Sequence, residues 1–186
     1  KFFNKSKLPT KLTFMMISRL IKYKGIESFV KVANIIKKKY PNTEFILVGQ
    51  PQKDFSLDKE FVNTILKKST VKLIKWEKNS KKIFNKCTVY ILPSKREGLS
   101  RSILEAMSSG KPIITSNVPG CRQTIINKYN GFIVKYNDHK SLVNAVEKFL
   151  KQKTLIKKFG NNSRKRAIKY FGVKIVNKKI LNIIQY

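Results

Sequence analysis

The chain has 186 residues, 41% of them hydrophobic and including 12 Phe and 7 Tyr, enough for one domain with a real core and too many for a disordered tail. Eight Gly and six Pro exclude a fibrous or low-complexity chain, and no apolar run approaches the roughly 18–20 uncharged residues of a membrane span. Lys and Arg number 41 against 10 Asp and Glu, a formal net charge of +31, which on its own suits nucleic acid or an anionic membrane.

In chain order, Leu12–Ile17 reads as a strand: it is a nearly continuous apolar run, as expected of a parallel strand buried on both faces. Ile26, Phe29, Val30, Ala33 and Ile36 then follow helical spacing, opposite a basic face that ends in Lys37, Lys38 and Lys39 and is stopped by Pro41. Strands follow over 45–48, 71–76 and Val89–Leu92. A helix over 102–109 is closed by Gly110, with Pro112 two residues on. Strands over 113–115 and Gly131–Val134 come next. From Ser141, the residues Leu142, Val143, Val146, Phe149 and Leu150 mark a helix, followed by a second over 155–170 and a terminal one over Val173–Ile184. Strand and helix alternate throughout, which predicts an α/β fold with a doubly wound parallel sheet. No internal repeat or linker divides it, so 1–186 is read as one domain with a helical end from about 173.

Such a sheet binds ligands outside the carboxyl ends of its strands, near the point where strand order reverses. Those ends fall at 18–25, 49–53, 76–80, 93–100 and 117–122. They carry no G-x-G-x-x-G, no G-x-x-x-x-G-K-[ST] and no G-x-S-x-G, so neither a dinucleotide fingerprint, a P-loop nor a nucleophile elbow is present. Two groups of residues do carry chemistry. Arg19 offers a planar fork to phosphate oxygens and Lys24 a point charge just before a helix. Glu97 lies in the turn after a buried strand and Glu105 eight residues later in a helix, in a chain with only seven Glu. Gly98 permits close approach of a ligand to the backbone, and the amides of Gly98, Leu99 and Ser100 point toward an anion at the helix start. Spacing alone leaves two readings open. Glu97 and Glu105 hold sugar and ribose hydroxyls, or Glu97 complements the helix dipole and Glu105 is a solvated helix residue.

The charge does not decide function. Only 6 of the 41 basic residues are Arg, whereas base reading and bidentate phosphate contacts favour Arg. The lysines are spread along the chain, and abundant Lys, Asn and Ile match an AT-rich coding sequence. No nucleic-acid partner is expected. Cys87 and Cys121 form neither a disulfide framework nor a metal-ligand spacing. Cys87 is expected in a buried strand, Cys121 in a loop, and the lone His139 at a surface helix start; no metal or cofactor is expected. The chain begins with Lys and shows no signal-peptide pattern, so it is read as a piece of a longer protein from a reducing, cytosolic setting.

Glu97 and Glu105 match the E-x7-E motif of the retaining nucleotide-sugar glycosyltransferases of family 4, also called group 1. The string Ile91-Leu92-Pro93-Ser94, Glu97-Gly98, Leu104-Glu105-Ala106-Met107, Gly110-Lys111-Pro112-Ile113-Ile114 resembles that family's most typical stretch. Ser18-Arg19 with Lys24-Gly25, and Asn130-Gly131-Phe132-Ile133-Val134, match two further blocks in the same order. The resemblance implies the C-terminal, donor-binding half of a GT-B enzyme made of two Rossmann-like domains, the acceptor domain lying before Lys1. It implies that Arg19 and Lys24 bind the diphosphate leaving group, Glu97 positions the donor sugar, Glu105 holds the ribose, and the base lies against the loop bearing Trp76. The strings Glu97-Gly98-Leu99-Ser100-Arg101-Ser102 and Val118-Pro119-Gly120-Cys121-Arg122 look most like bacterial surface-glycan and lipid-linked oligosaccharide transferases, which commonly use UDP-sugars without a metal.

The pattern is departed from at Gln123, where relatives often have Glu, at Gly49-Gln50-Pro51-Gln52, and at Lys75 beside the base loop. The other readings are a sugar-nucleotide epimerase or phosphorylase of the same fold, and a basic module for nucleic acid or anionic lipid. Alone, this half is expected to transfer no sugar. The apolar stripe of Val173–Ile184, with Lys beside it, fits three settings: contact with the missing domain, the anionic inner face of the cell membrane, or packing on its own sheet.

Overall fold

A computed structural model describes residues 11–50, 56–67, 69–77 and 79–184. Six strands, β1 (Leu12–Ile17), β2 (Thr43–Val48), β3 (Lys72–Ile74), β4 (Val89–Leu92), β5 (Ile113–Ser116) and β6 (Gly131–Val134), form one sheet in the order β3-β2-β1-β4-β5-β6. Every pairing is parallel; Leu12 to Ile17 run in register with Thr43 to Val48, and Phe14 and Met15 face Val89 and Tyr90 across the β1–β4 junction. This is the doubly wound α/β arrangement that the alternation predicts, with the reversal of strand order between β1 and β4.

All residues of β1, β4 and β5 are buried, which is why these strands read as continuous apolar runs instead of alternating ones. The helices are α1 (Ile26–Lys39), α2 (Ser56–Lys67), α3 (Ser80–Asn85), α4 (Arg101–Ser108), α5 (Pro119–Arg122), α6 (His139–Lys151), α7 (Thr154–Phe171) and α8 (Val173–Ile184). Connections leave β1 in one direction along the sheet and β4 in the other, so right-handed crossovers put α1 and α4 on opposite faces. There α1 packs with α6, and α4 with α7. Stacked Phe14 and Phe45, 5.1 Å apart, fill one part of the core, and an edge-to-face trio of Phe132, Phe149 and Phe159 fills another.

Several local features depart from the sequence reading. β3 is three residues long instead of spanning 71–76, because it is an edge strand with two of its residues exposed; Trp76 leaves the sheet for the loop beyond. Cys121 is not a loop residue: it is fully buried in α5, and burial pushes its thiol up to about 11. Cys87 is buried just ahead of β4 and not within it, its thiol pushed by burial up to about 12. His139 opens α6 as expected, its ring 3.2 Å from the Ser28 hydroxyl. The turn at 49–53 is described only through Gln50.

Candidate functional site

The carboxyl ends of β1, β2 and β4 open onto a cleft of about 450 Å3. Its walls include Arg19, Lys24, Trp76, Glu97, Leu99, Ser100 and Glu105. Thus seven of the eight residues singled out from the sequence share one cavity at the switch point. Gly98 lies beside it: nothing stands within 4 Å of where a Cβ would be, so its backbone is open to approach.

The loop after β1 is held by its own backbone and by β4. Lys22–Lys24 form one 3-10 turn, closed by Gly25 in the left-handed region at φ 80°. A side chain at Gly25 would also strike the Pro93 carbonyl, its Cβ 2.0 Å from that oxygen; glycine alone meets both demands. The amide of Lys95 donates to the Tyr23 carbonyl at 2.8 Å, and the Ser94 hydroxyl lies between that carbonyl, at 3.1 Å, and the Arg96 carbonyl, at 3.0 Å. Above them the Tyr23 ring carries the Arg96 guanidinium 4.8 Å from its centroid, and its hydroxyl accepts a 2.9 Å bond from Arg19.

Across this junction the Lys24 ammonium meets a Glu97 carboxylate oxygen at 2.7 Å, with the two side chains only 15% and 8% exposed. Glu97 is therefore neither a dipole-complementing first-turn acid nor solvated: it lies four residues before α4 and is ion-paired. Its turn is backed by α5. A Cβ on Gly120 would stand 1.6 Å from the Gly98 carbonyl oxygen, so only glycine lets α5 approach this closely.

α4 begins at Arg101, with Ser100 as its N-cap in extended conformation and no side-chain bond to the first-turn amides. Those amides lack intrahelical acceptors and point outward, a natural seat for an anion. Glu105 is one turn further along the same face as Arg101. Burial raises its carboxyl above the usual range, with Arg101 opposing the effect. The cleft thus presents three cations (Arg19, Lys24 and Arg101) and a helix start toward an anion, and two carboxylates toward hydroxyls. Among the described residues, no three His, Cys, Asp or Glu side chains gather as a metal ion would require.

Sequence reasoning passed over several lining residues. Ser18, Gln50, Arg101 and Ser102 also face the cleft, and among the described residues the buried Ser18 hydroxyl has no hydrogen-bond partner. Ser18 and Gln50 fall in the strand-end segments; Arg101 and Ser102 were legible from α4's period, one turn before Glu105 and one residue on.

A 3-2-1-4-5-6 parallel sheet with an anion-suited cleft at its switch point defines a nucleotide-binding type of α/β domain. The chain belongs to the glycosyl transferases group 1 family, whose family model matches residues 1–166. It is 30% identical over 160 residues to the capsular polysaccharide biosynthesis glycosyltransferase CapM of Staphylococcus aureus, covering 86% of this chain and 42% of that protein. In fold it is similar to the crystallised C-terminal domain of a group 1 glycosyl transferase, LpcC, from Francisella tularensis (TM-score 0.77, 20% identity, 89% of each chain). It is also similar to Anabaena Alr3699/HepE, solved in complex with UDP and glucose (TM-score 0.85, 19% identity, 94% of this chain and 48% of that one). The fold is that of GT-B C-terminal domains, and the chain spans less than half the length of CapM.

Proposed function

We propose that this chain is the donor-binding domain of a retaining glycosyltransferase, moving a sugar from a nucleoside diphosphate, UDP, to a hydroxyl acceptor in glycan or lipid-linked oligosaccharide synthesis. One observation carries the reading: Arg19, Lys24, Glu97 and Glu105 converge on one cleft beside the start of α4. The UDP bound in a structure of the same fold, and the polysaccharide role in the name of a relative, support the choice of donor and product class.

In this reading the base lies against Trp76, Glu105 accepts bonds from the ribose hydroxyls, and the diphosphate sits among Arg19, Lys24, the first amides of α4 and those of Gly98, Leu99 and Ser100 just before it. The bond between the anomeric carbon and the diphosphate oxygen breaks with its electron pair passing to the diphosphate. The acceptor oxygen bonds to that carbon on the same face and passes its proton to the departing diphosphate oxygen. Charge thus grows on the leaving diphosphate, where fixed cations and amide dipoles lower the barrier most. Glu97 orients the sugar, and its ion pair sets the Lys24 ammonium at the junction between sugar and diphosphate. No metal takes part. The acceptor domain is a separate part of the longer protein, and the enzyme works in the cytoplasm at the inner face of the cell membrane. No helix among the described residues is long and apolar enough to cross a membrane.

Calorimetry against a panel of nucleotides tests the assignment. Saturable UDP binding that Glu105→Ala weakens is expected. Indifference to UDP together with steeply salt-dependent polyanion binding would favour a basic binding module instead.

A further inference from the structure

Tyr90 stands in the middle of β4, fully buried, and its phenolic oxygen lies 3.1 Å from the Ile17 carbonyl and 2.7 Å from the Ser102 hydroxyl. Ser102 in turn is 3.2 Å from the Ser100 hydroxyl. A phenol has one proton and a carbonyl can only accept. Both Tyr90 contacts therefore hold at once in one sense only: Tyr90 donates to Ile17, and Ser102 donates to Tyr90. The Ser102 oxygen is then left to accept from Ser100. The result is a directed chain of hydroxyls from the N-cap of α4, through the core, to the last residue of β1.

An N-cap serine ordinarily turns its oxygen onto an amide of the first helical turn. Ser100 makes no such bond; its hydroxyl is drawn to Ser102 instead. The same chain ties α4 to the carbonyl of Ile17, whose neighbours Ser18 and Arg19 line the cleft.

We propose that the Tyr90 hydroxyl is a positioning residue for the diphosphate site: through Ser102 it holds the Ser100 hydroxyl off the α4 amides and so leaves those amides to the ligand. This rests on the donor-binding reading. Tyr90 touches no substrate; it acts through the two serines. Without its oxygen, Ser102 loses its acceptor and turns to another, such as the backbone carbonyl four residues before it; that move takes its oxygen from Ser100, which is then free to cap its own helix and compete with phosphate oxygens for the same N–H groups.

The test compares UDP with uridine, which lacks the diphosphate, on the full chain by calorimetry and ligand-observed NMR. Tyr90→Phe keeps the ring in the core and should weaken UDP about fivefold, the usual worth of a serine N-cap, while uridine affinity stays unchanged. Adding Ser100→Ala removes the competing hydroxyl and should return UDP affinity toward that of the parent. Ser102→Ala cuts the chain from the cleft side, spares the core and should reproduce the UDP-selective loss, so the idea stays testable if Tyr90→Phe does not fold. Equal losses for UDP and uridine, or no recovery on adding Ser100→Ala, would show a merely structural tyrosine and overturn the proposal. Unchanged UDP affinity in Tyr90→Phe and Ser102→Ala, with the parent binding UDP, overturns it while leaving the donor reading intact. A parent chain that binds no UDP overturns both.

Discussion

Replacing Glu105 with alanine should cost far more UDP affinity than replacing Glu97. Glu105 lines the cleft on α4, partly desolvated and one helical turn from Arg101. A hydrogen bond to a charged group is worth roughly 1.5–3 kcal/mol. The carboxylate keeps some contact with solvent, so the lower end applies and the loss should be about tenfold. Glu97 is a different case. Plain UDP has no sugar for it to hold, and its carboxylate is paired with Lys24 at 2.7 Å. Removing it leaves a nearly buried ammonium without its counter-charge, and an incoming diphosphate supplies one. UDP affinity in Glu97→Ala should therefore hold or rise, at some loss of thermal stability. The assay is calorimetry of both variants at one ionic strength, with unfolding curves to establish that each is folded. Equal losses of UDP affinity would refute the division of labour between the two carboxylates.

Gly120→Ala should lower thermal stability by about 1–3 kcal/mol and weaken UDP, because a Cβ 1.6 Å from the Gly98 carbonyl must push the Glu97–Gly98 turn; differential scanning fluorimetry and UDP titration check the pair. The raised carboxyl of Glu105 means that the folded chain holds its proton more tightly than the unfolded one. Its contribution to stability is thus fully present below the ordinary value of 4.5 and fades as pH rises through the raised folded value. Glu105→Gln should flatten that part of the stability profile in denaturant titrations across pH, whereas an unaltered profile would argue against burial of the carboxyl. The exposed Val173, Ile180, Leu181, Ile183 and Ile184 of α8, in a chain of net charge +31, should give weak, salt-sensitive flotation of the full enzyme with anionic vesicles and less with neutral ones; equal binding to both, or none, would end the membrane proposal.

Much of this was legible because parallel sheets leave coarse marks. Leu12–Ile17 and Val89–Leu92 carry their boundaries in their apolar runs, since burial on both faces removes most polar residues from the strand. The ends of those strands then locate the cleft, and scarce residue types pick out its contents: Arg19 in a lysine-rich chain, Glu97 and Glu105 in an acid-poor one. Where a helix is too short to show a period, the signal fades. α3 has six residues and α5 four, less than two turns each, so neither was read. For α2 the spacing was there in Leu57, Phe61, Val62, Ile65 and Leu66, diluted by the lysines, acids and Asn around them.

The hydroxyl chain from Ser100 to Ile17 shows a different limit. Tyr90 sits in an apolar strand and scores there as one more aromatic, because its ring meets the demand for burial and its oxygen leaves no trace in the pattern. Ser102 reads as an ordinary first-turn serine and Ser100 as an ordinary cap. Only the three-dimensional register, which sets Tyr90 opposite Met15 on β1 and beneath the first turn of α4, brings the three oxygens within bonding distance and turns the cap aside. Periodicity can show which face of an element is buried, but the partner of a buried polar atom is fixed by how two elements far apart in sequence are set against each other. The residues that meet a ligand directly are therefore easier to find from sequence than those that hold them in place.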